Sequence, residues 1–150
     1  MAHTYGSCLY HFVFSTHNRE RTIQADWMRR MWDYTGGIAK NHEMKALCVG
    51  GTEDHIHLLL MIPPTIAPAK GIQIVKGNTS KWIHEEIPVC RQFAWQEGYG
   101  VFTIGFSQIE KTSEYIIRQS EHHRLKSYEE EYRSFLKKHM IEFHEDYVWG

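Results

Sequence analysis

Cysteine is sparse in this sequence: Cys8, Cys48 and Cys90 stand far apart and form no CxxC pair. That pattern excludes a disulfide framework and suits a reducing cytoplasm. Long apolar runs are missing too. No stretch approaches the roughly 18 apolar residues of a spanning helix, so no membrane partner is expected. Met1-Ala2-His3-Thr4-Tyr5 shows no basic segment followed by an apolar one, so no secretory signal is expected. Proline is scarce and gathers in Pro63-Pro64-Thr65-Ile66-Ala67-Pro68. No repeat, low-complexity run or linker divides the chain, and 150 residues suffice for one core, so one domain over 1–150 is expected. A basic excess is also missing. Lys plus Arg number 17 against 18 Asp plus Glu, for a net charge of −1. A nucleic-acid binder usually carries surplus positive charge, so here charge would have to be segregated. The acids do cluster late, in Glu129-Glu130-Glu131 and from Glu142 to Asp146.

Histidine, by contrast, is plentiful, with 11 residues. Residues 8–15 (CLYHFVFS) are β-rich and aromatic and predict a strand. A charged loop from Thr16 to Thr22 follows. Over 24–41, Trp27, Met31, Tyr34 and Ile38 recur at helical spacing. Residues 44–51 and 54–62 (DHIHLLLMI) predict two strands joined by a turn near Gly51-Thr52-Glu53. A second helix is predicted over 69–86, with Ile72, Val75, Thr79, Trp82 and Ile83 on one face and Lys70, Gly77, Lys81 and His84 opposite. A strand or hairpin is predicted over 93–105. Ser107-x-x-Glu110 reads as a capping box opening a third helix that runs to about Arg124, and Ser127-x-x-Glu130 opens a fourth. Phe143, Tyr147 and Trp149 predict a tail that packs. The order β-α-β-β-α-β-α-α implies an α+β domain, an antiparallel sheet with helices mainly on one face.

Three groups of residues could carry chemistry. His55-Ile56-His57 puts two imidazoles on one strand face, where ring nitrogens can converge on a divalent cation. Histidine abundance alone produces about one such pair by chance. The context adds weight, because Ile56, Leu58, Leu60 and Ile62 would bury the opposite face, and two polar rings so placed are costly without a ligand. Tyr115 and Gln119, at i and i+4 in Glu114-Tyr115-Ile116-Ile117-Arg118-Gln119, would share a helical face joined by His122. A half-buried packing tyrosine beside a solvated glutamine is the ordinary alternative. Finally, Arg19, Arg21, Lys70, Lys76, Lys81, Arg118, Arg124 and Lys126, with aromatics nearby, could follow a phosphate backbone or be scattered solvated charge.

Taken in order, LYHFVFSTHNRE, GGTEDHIHLLL, KGNTSKWIHEE, FAWQEGYGVFTIG and EYIIRQSEHHR span nearly the whole chain. In them the chain resembles the single-tyrosine HUH transposases of the smallest bacterial insertion sequences and the related REP-associated tyrosine transposases. The resemblance implies a ferredoxin-like HUH fold with Tyr115 as nucleophile. It also implies that His55, His57 and Gln119 hold Mg²⁺ or Mn²⁺, and that single-stranded DNA with hairpins is cut and rejoined through a 5′-phosphotyrosine. Lys and Arg, among them Arg19, Arg21, Lys70, Lys76, Lys81 and Arg118, would contact phosphates. No nucleotide cofactor is implied. A cytoplasmic, nucleoid-associated homodimer is implied, the tyrosine helix of one subunit completing the metal site of the other. A phosphoesterase with an HxHxH motif would need histidine where Leu59 stands, and a tandem HxT esterase would need segments this chain lacks. A domesticated hairpin-DNA-binding protein with little turnover is the alternative that keeps the fold.

Overall fold

The computed structural model describes residues 3–119 and 126–150. Four antiparallel strands, β1 (Leu9–Ser15), β2 (Lys45–Gly51), β3 (His55–Met61) and β4 (Gly100–Thr103), form a sheet in the order β2-β3-β1-β4. The helices are α1 (Ala25–Asn41), α2 (Pro68–Glu86), α3 (Ile109–Ile117) and α4 (Tyr128–Lys138). The sheet is antiparallel and the class is α+β.

The strand period of two sorts side chains to the two faces. From β1, Phe12 and Phe14 point one way and meet Ile56, Leu58 and Leu60 of β3. Trp27, Met31 and Ala39 of α1 and Ile72, Val75 and Ile83 of α2 cover this face and close the main core. Each such aliphatic or aromatic side chain contributes about 1.5–3 kcal/mol by leaving water. Tyr34, expected on the buried stripe of α1, is instead largely exposed and stacks on Trp82 at 5.4 Å between ring centroids.

The second face carries His11, Val13, Ser15, His55 and His57. It is not left to solvent. A smaller core of Val13, Phe102, Tyr128, Tyr132 and Leu136 brings α4 onto it, and Ile116 of α3 is fully buried beside β2. The two long helices thus cover one face, and two shorter ones cover the other, over the histidines.

Several expected boundaries differ. In place of a hairpin over 93–105, only β4 pairs along β1, and an isolated bridge joins Trp95 to Thr16. The side chain of Gln96 explains this. Its Oε1 accepts the Ser15 N–H at 2.7 Å, while its own N–H donates to Ser15 O, so a side chain closes the ladder there. Ser107 does not cap α3. A 3₁₀ turn at Phe106–Gln108 precedes the helix, and Gln108 Oε1 accepts the Gly105 N–H at 2.7 Å. α3 itself ends sooner than expected, at Ile117, with Arg118 as its C-cap. His122 and Arg124 lie outside the described residues. Ser127 caps α4 as expected, accepting the Glu130 N–H at 3.2 Å. The tail packs as well: Phe143, Val148 and Trp149 rest on the smaller core, although Tyr147 is exposed.

Candidate active site

His55 and His57 leave β3 on the face opposite the main core, both fully buried, with ring centroids 5.1 Å apart. Local bonds orient His55. Its Nδ1 lies 2.7 Å from Asp54 Oδ1 and 2.9 Å from Thr52 Oγ1, and Thr52 Oγ1 donates to the same carboxylate at 3.0 Å. A carboxylate at Nδ1 keeps the proton there and leaves Nε2 as the acceptor, an arrangement that prepares an imidazole for a metal. That Nε2 points at Gln119 Oε1, 3.0 Å away. The amide is oriented by its other end, because Nε2 of Gln119 donates to Tyr115 O at 3.2 Å. Gln119 therefore reaches the histidines as expected, but from beyond the α3 C-cap rather than from a continuous helical turn. An imidazole nitrogen and an amide oxygen this close could hold a cation between them in place of a proton.

His57 sits in a second chain of contacts. His11 Nε2 lies 2.8 Å from His57 Nδ1, and His57 Nε2 lies 2.8 Å from Glu131 Oε1. His11 is buried, and burial together with the neighbouring His57 pushes its pKa down to about 3. A neutral imidazole offers one donor and one acceptor, so His11 can support either tautomer of His57. The other Glu131 oxygen, Oε2, accepts the Tyr115 hydroxyl. Burial and the Glu131 carboxylate both hold the Tyr115 phenol above the ordinary tyrosine range.

Glu131 and His11 are the site residues that sequence reasoning missed. Glu131 belongs to the acidic run 129–131, which reads as a solvated cluster. Yet it falls three residues after Tyr128 and four before Phe135, on the apolar stripe of α4, and a carboxylate on that stripe is a buried carboxylate. One ligand atom each from His55, His57 and Glu131 lies within 4.8 Å of the others, with Glu131 Oε1 3.9 Å from His55 Nε2. Imidazole nitrogens with carboxylate and amide oxygens form a donor set that suits a divalent cation.

Of the basic candidates, Lys126 lines a cleft with Tyr115 and Glu131, while several others stand elsewhere. Lys76 donates to the carbonyls of Gln96, Glu97 and Gly98 at 2.7, 3.1 and 2.8 Å, so its ammonium ties α2 to the 96–98 segment. Burial pushes its pKa down to about 8. Arg19 pairs with Glu129 at 2.8 Å and lies against the Trp149 ring. Lys70 and Lys81 are exposed on α2, across the sheet from the histidines, and Arg21 is exposed on the loop before α1. Arg118 alone of these stands beside Tyr115 and Gln119. The expected composite site is not required by the geometry either, since one chain brings Tyr115, Gln119, His55, His57 and Glu131 together.

On one face of a small antiparallel sheet a phenol thus stands beside a donor set that suits a divalent cation. The chain belongs to the family described as IS200-like transposases, whose family model matches residues 4–119. It is 28% identical over 131 residues to the transposase of insertion sequence element IS200 from Salmonella typhimurium, covering 83% of this chain and 85% of the relative. The Salmonella typhi transposase of the same element matches equally. Two solved structures share the fold. One is a crystal structure of a candidate transposase from Deinococcus radiodurans, with TM-score 0.64 and 20% identity over 77% of this chain and 95% of that one. The other is a REP-associated tyrosine transposase bound to a REP hairpin, with TM-score 0.56 and 11% identity over 77% of this chain and 68% of that one. The chain is thus of a transposase family, an enzyme class that cleaves DNA and transfers strands.

Proposed function

We propose that this transposase, acting as one domain over 1–150, cleaves and rejoins single-stranded DNA at hairpin-bearing ends through a 5′-phosphotyrosine on Tyr115. The observation that carries the reading is the convergence, within one chain, of the Tyr115 hydroxyl with His55, His57, Gln119 and Glu131. Tyr115 Oη forms the new bond to phosphorus and the bond from phosphorus to the 3′-oxygen breaks. The phenolic proton has Glu131 Oε2 as its nearest acceptor, and the departing 3′-oxygen takes up a proton to become a hydroxyl. Attack by another 3′-hydroxyl reverses the step and joins strands, so neither water nor a nucleotide is consumed.

His55, His57, Gln119 and Glu131 would hold the divalent cation, Mg²⁺ or Mn²⁺. When bound, such a cation polarises a phosphoryl oxygen and offsets charge developing on it. Asp54 and His11 orient the two imidazoles from behind. Hairpin DNA as partner is supported by the fold neighbour seen with a REP hairpin, and a cytoplasmic location suits a DNA substrate. The site is complete in one chain, which favours cleavage in cis over a subunit-shared arrangement. The test is to incubate the protein and Mn²⁺ with a hairpin-bearing single strand and look for a denaturant-resistant protein–DNA adduct. Tyr115→Phe should abolish the adduct while leaving DNA binding nearly intact. Undiminished adduct in that variant would place the nucleophile elsewhere, with Tyr99 next to be examined.

A further inference from the structure

Above Tyr115 and Glu131, α3 and α4 face each other across a cleft of about 310 Å³. Its rim carries Lys111, Lys126 and Lys138, all exposed. Lys111 stands one helical turn before Tyr115, and Lys138 stands two turns after Glu131, so both lie on the faces that bear the site residues. Lys126 donates from Nζ to the neutral Ser134 Oγ at 2.6 Å, which holds its charge over the opening. Glu131 is the one acid among the described residues that line the cleft. It lies buried at the floor, with its oxygens turned to His57 and the Tyr115 hydroxyl. A chain of net charge −1 therefore gathers three cations at the opening onto its phenol. Lys126, Lys138 and Glu131 all lie beyond residues 4–119, the segment that the family model matches.

We infer that this cleft seats the DNA backbone beside the cleavage point, with Lys111, Lys126 and Lys138 neutralising phosphates that flank the one Tyr115 attacks. The inference rests on the single-strand transposase reading and adds to it the path of the strand. Ammonium groups on flexible stems bind phosphate as point charges, so this track positions the strand without reading its sequence. The chain thereby meets the electrostatic need of a polyanionic substrate with local rather than bulk charge.

The salt dependence of binding tests it. Anisotropy of a labelled, hairpin-bearing single-stranded oligonucleotide is measured in chelator, which suppresses cleavage, over about 50 to 200 mM KCl. The variant K111A/K126A/K138A should lower the slope of log affinity against log salt by about 2, at about 0.7 for each single-strand phosphate no longer neutralised. Restoring charge as K111R/K126R/K138R should restore the slope. The matched variant R29A/R30A/K40A, with equal charge removed from exposed positions of α1 on the other face, should leave it nearly unchanged. A parent-like slope in the cleft variant, or an equal reduction in the matched one, overturns the inference while the adduct on Tyr115 still stands. A parent protein that neither binds single strands nor forms the adduct overturns the transposase reading and this inference together.

Discussion

At the scale of the residue, Glu131 links the two parts of the candidate site, one carboxylate oxygen on His57 and the other on the Tyr115 phenol. A carboxylate buried this deeply is costly unless it is paired and hydrogen-bonded, and here imidazole and phenol supply the partners. Glu131→Gln keeps the shape and removes the charge. Mn²⁺ affinity measured by calorimetry is expected to fall at least about tenfold, the range in which partners around a metal site act, and the adduct should form more slowly. Unchanged Mn²⁺ affinity would remove Glu131 from the ligand set. Sequence reading placed His55 and His57 together from the strand period, and joined Tyr115 and Gln119 to them chiefly through the family resemblance. It passed over Glu131 because an acid between two acids looks solvated until the stripe of Tyr128, Tyr132 and Phe135 is weighed. Lys76, expected to contact phosphate, donates here to three backbone carbonyls.

At the scale of the element, the position of Tyr115 depends on how closely α3 approaches the edge strand β2. Gly50 pairs with His57 in the ladder, and a Cβ built on it would come within 2.5 Å of Ile116 O and 2.8 Å of Ile116 Cγ2. The nearest obstacle is backbone, so Gly50→Ala has to push α3 away from the sheet. Overpacking of this kind costs about 1–3 kcal/mol, and a displacement of about 1 Å at a reacting group costs about 100-fold in rate. The variant should therefore melt a few degrees lower yet lose most of its adduct formation. Wild-type adduct yield would show that α3 does not depend on contact with Gly50. The strands and the two long helices were legible because apolar residues repeat along them with the strand and helix periods. The 93–105 segment was not, because side chains hold it: Gln96 completes a ladder with Ser15 and Lys76 gathers the carbonyls of 96–98. Such bonds leave no period in the sequence. The interruption at Arg118 was hidden for a related reason, since residues 109–119 contain neither glycine nor proline.

At the scale of the whole molecule, near-zero net charge conceals segregation. Two of the three acids on α4 are drawn inward or into a pair, Glu131 to the site and Glu129 to Arg19 at 2.8 Å, while Glu145 from the tail takes Arg133 at 2.9 Å. Trp149 lies between Arg19 and Arg133, at 5.3 and 5.0 Å from their guanidinium carbons. The loop before α1, helix α4 and the tail are thereby fastened together, and α4 with its Glu131 is held against the sheet. Replacing Trp149 with Ala removes both cation–π contacts, each about 0.5–1 kcal/mol at exposed sites, along with the packing of the ring on Tyr132. Thermal melting should register a loss of about 2–3 kcal/mol on that basis, counting the buried part of the ring. A variant as stable as the parent would leave α4 seated by its own apolar stripe.

The same closure bears on assembly. The family resemblance implied subunits that exchange the tyrosine helix, whereas here α3 rests on its own β2 and Gln119 reaches its own His55. Exchange would require α3 to leave a contact in which Ile116 is fully buried, giving up about 1.5–3 kcal/mol per such side chain until a partner restores it. Two inactive chains separate the possibilities. Tyr115→Phe lacks the proposed nucleophile and His57→Ala lacks a proposed metal ligand. If each chain closes its own site, mixing and re-assembling the two yields only incomplete sites, and no adduct should appear on hairpin-bearing single strands with Mn²⁺. If α3 passes between subunits, each heterodimer holds one intact site and adduct returns. Native mass spectrometry of the same mixture establishes whether heterodimers are present. Adduct recovered from them would show that the helix carrying Tyr115 serves the partner's histidines.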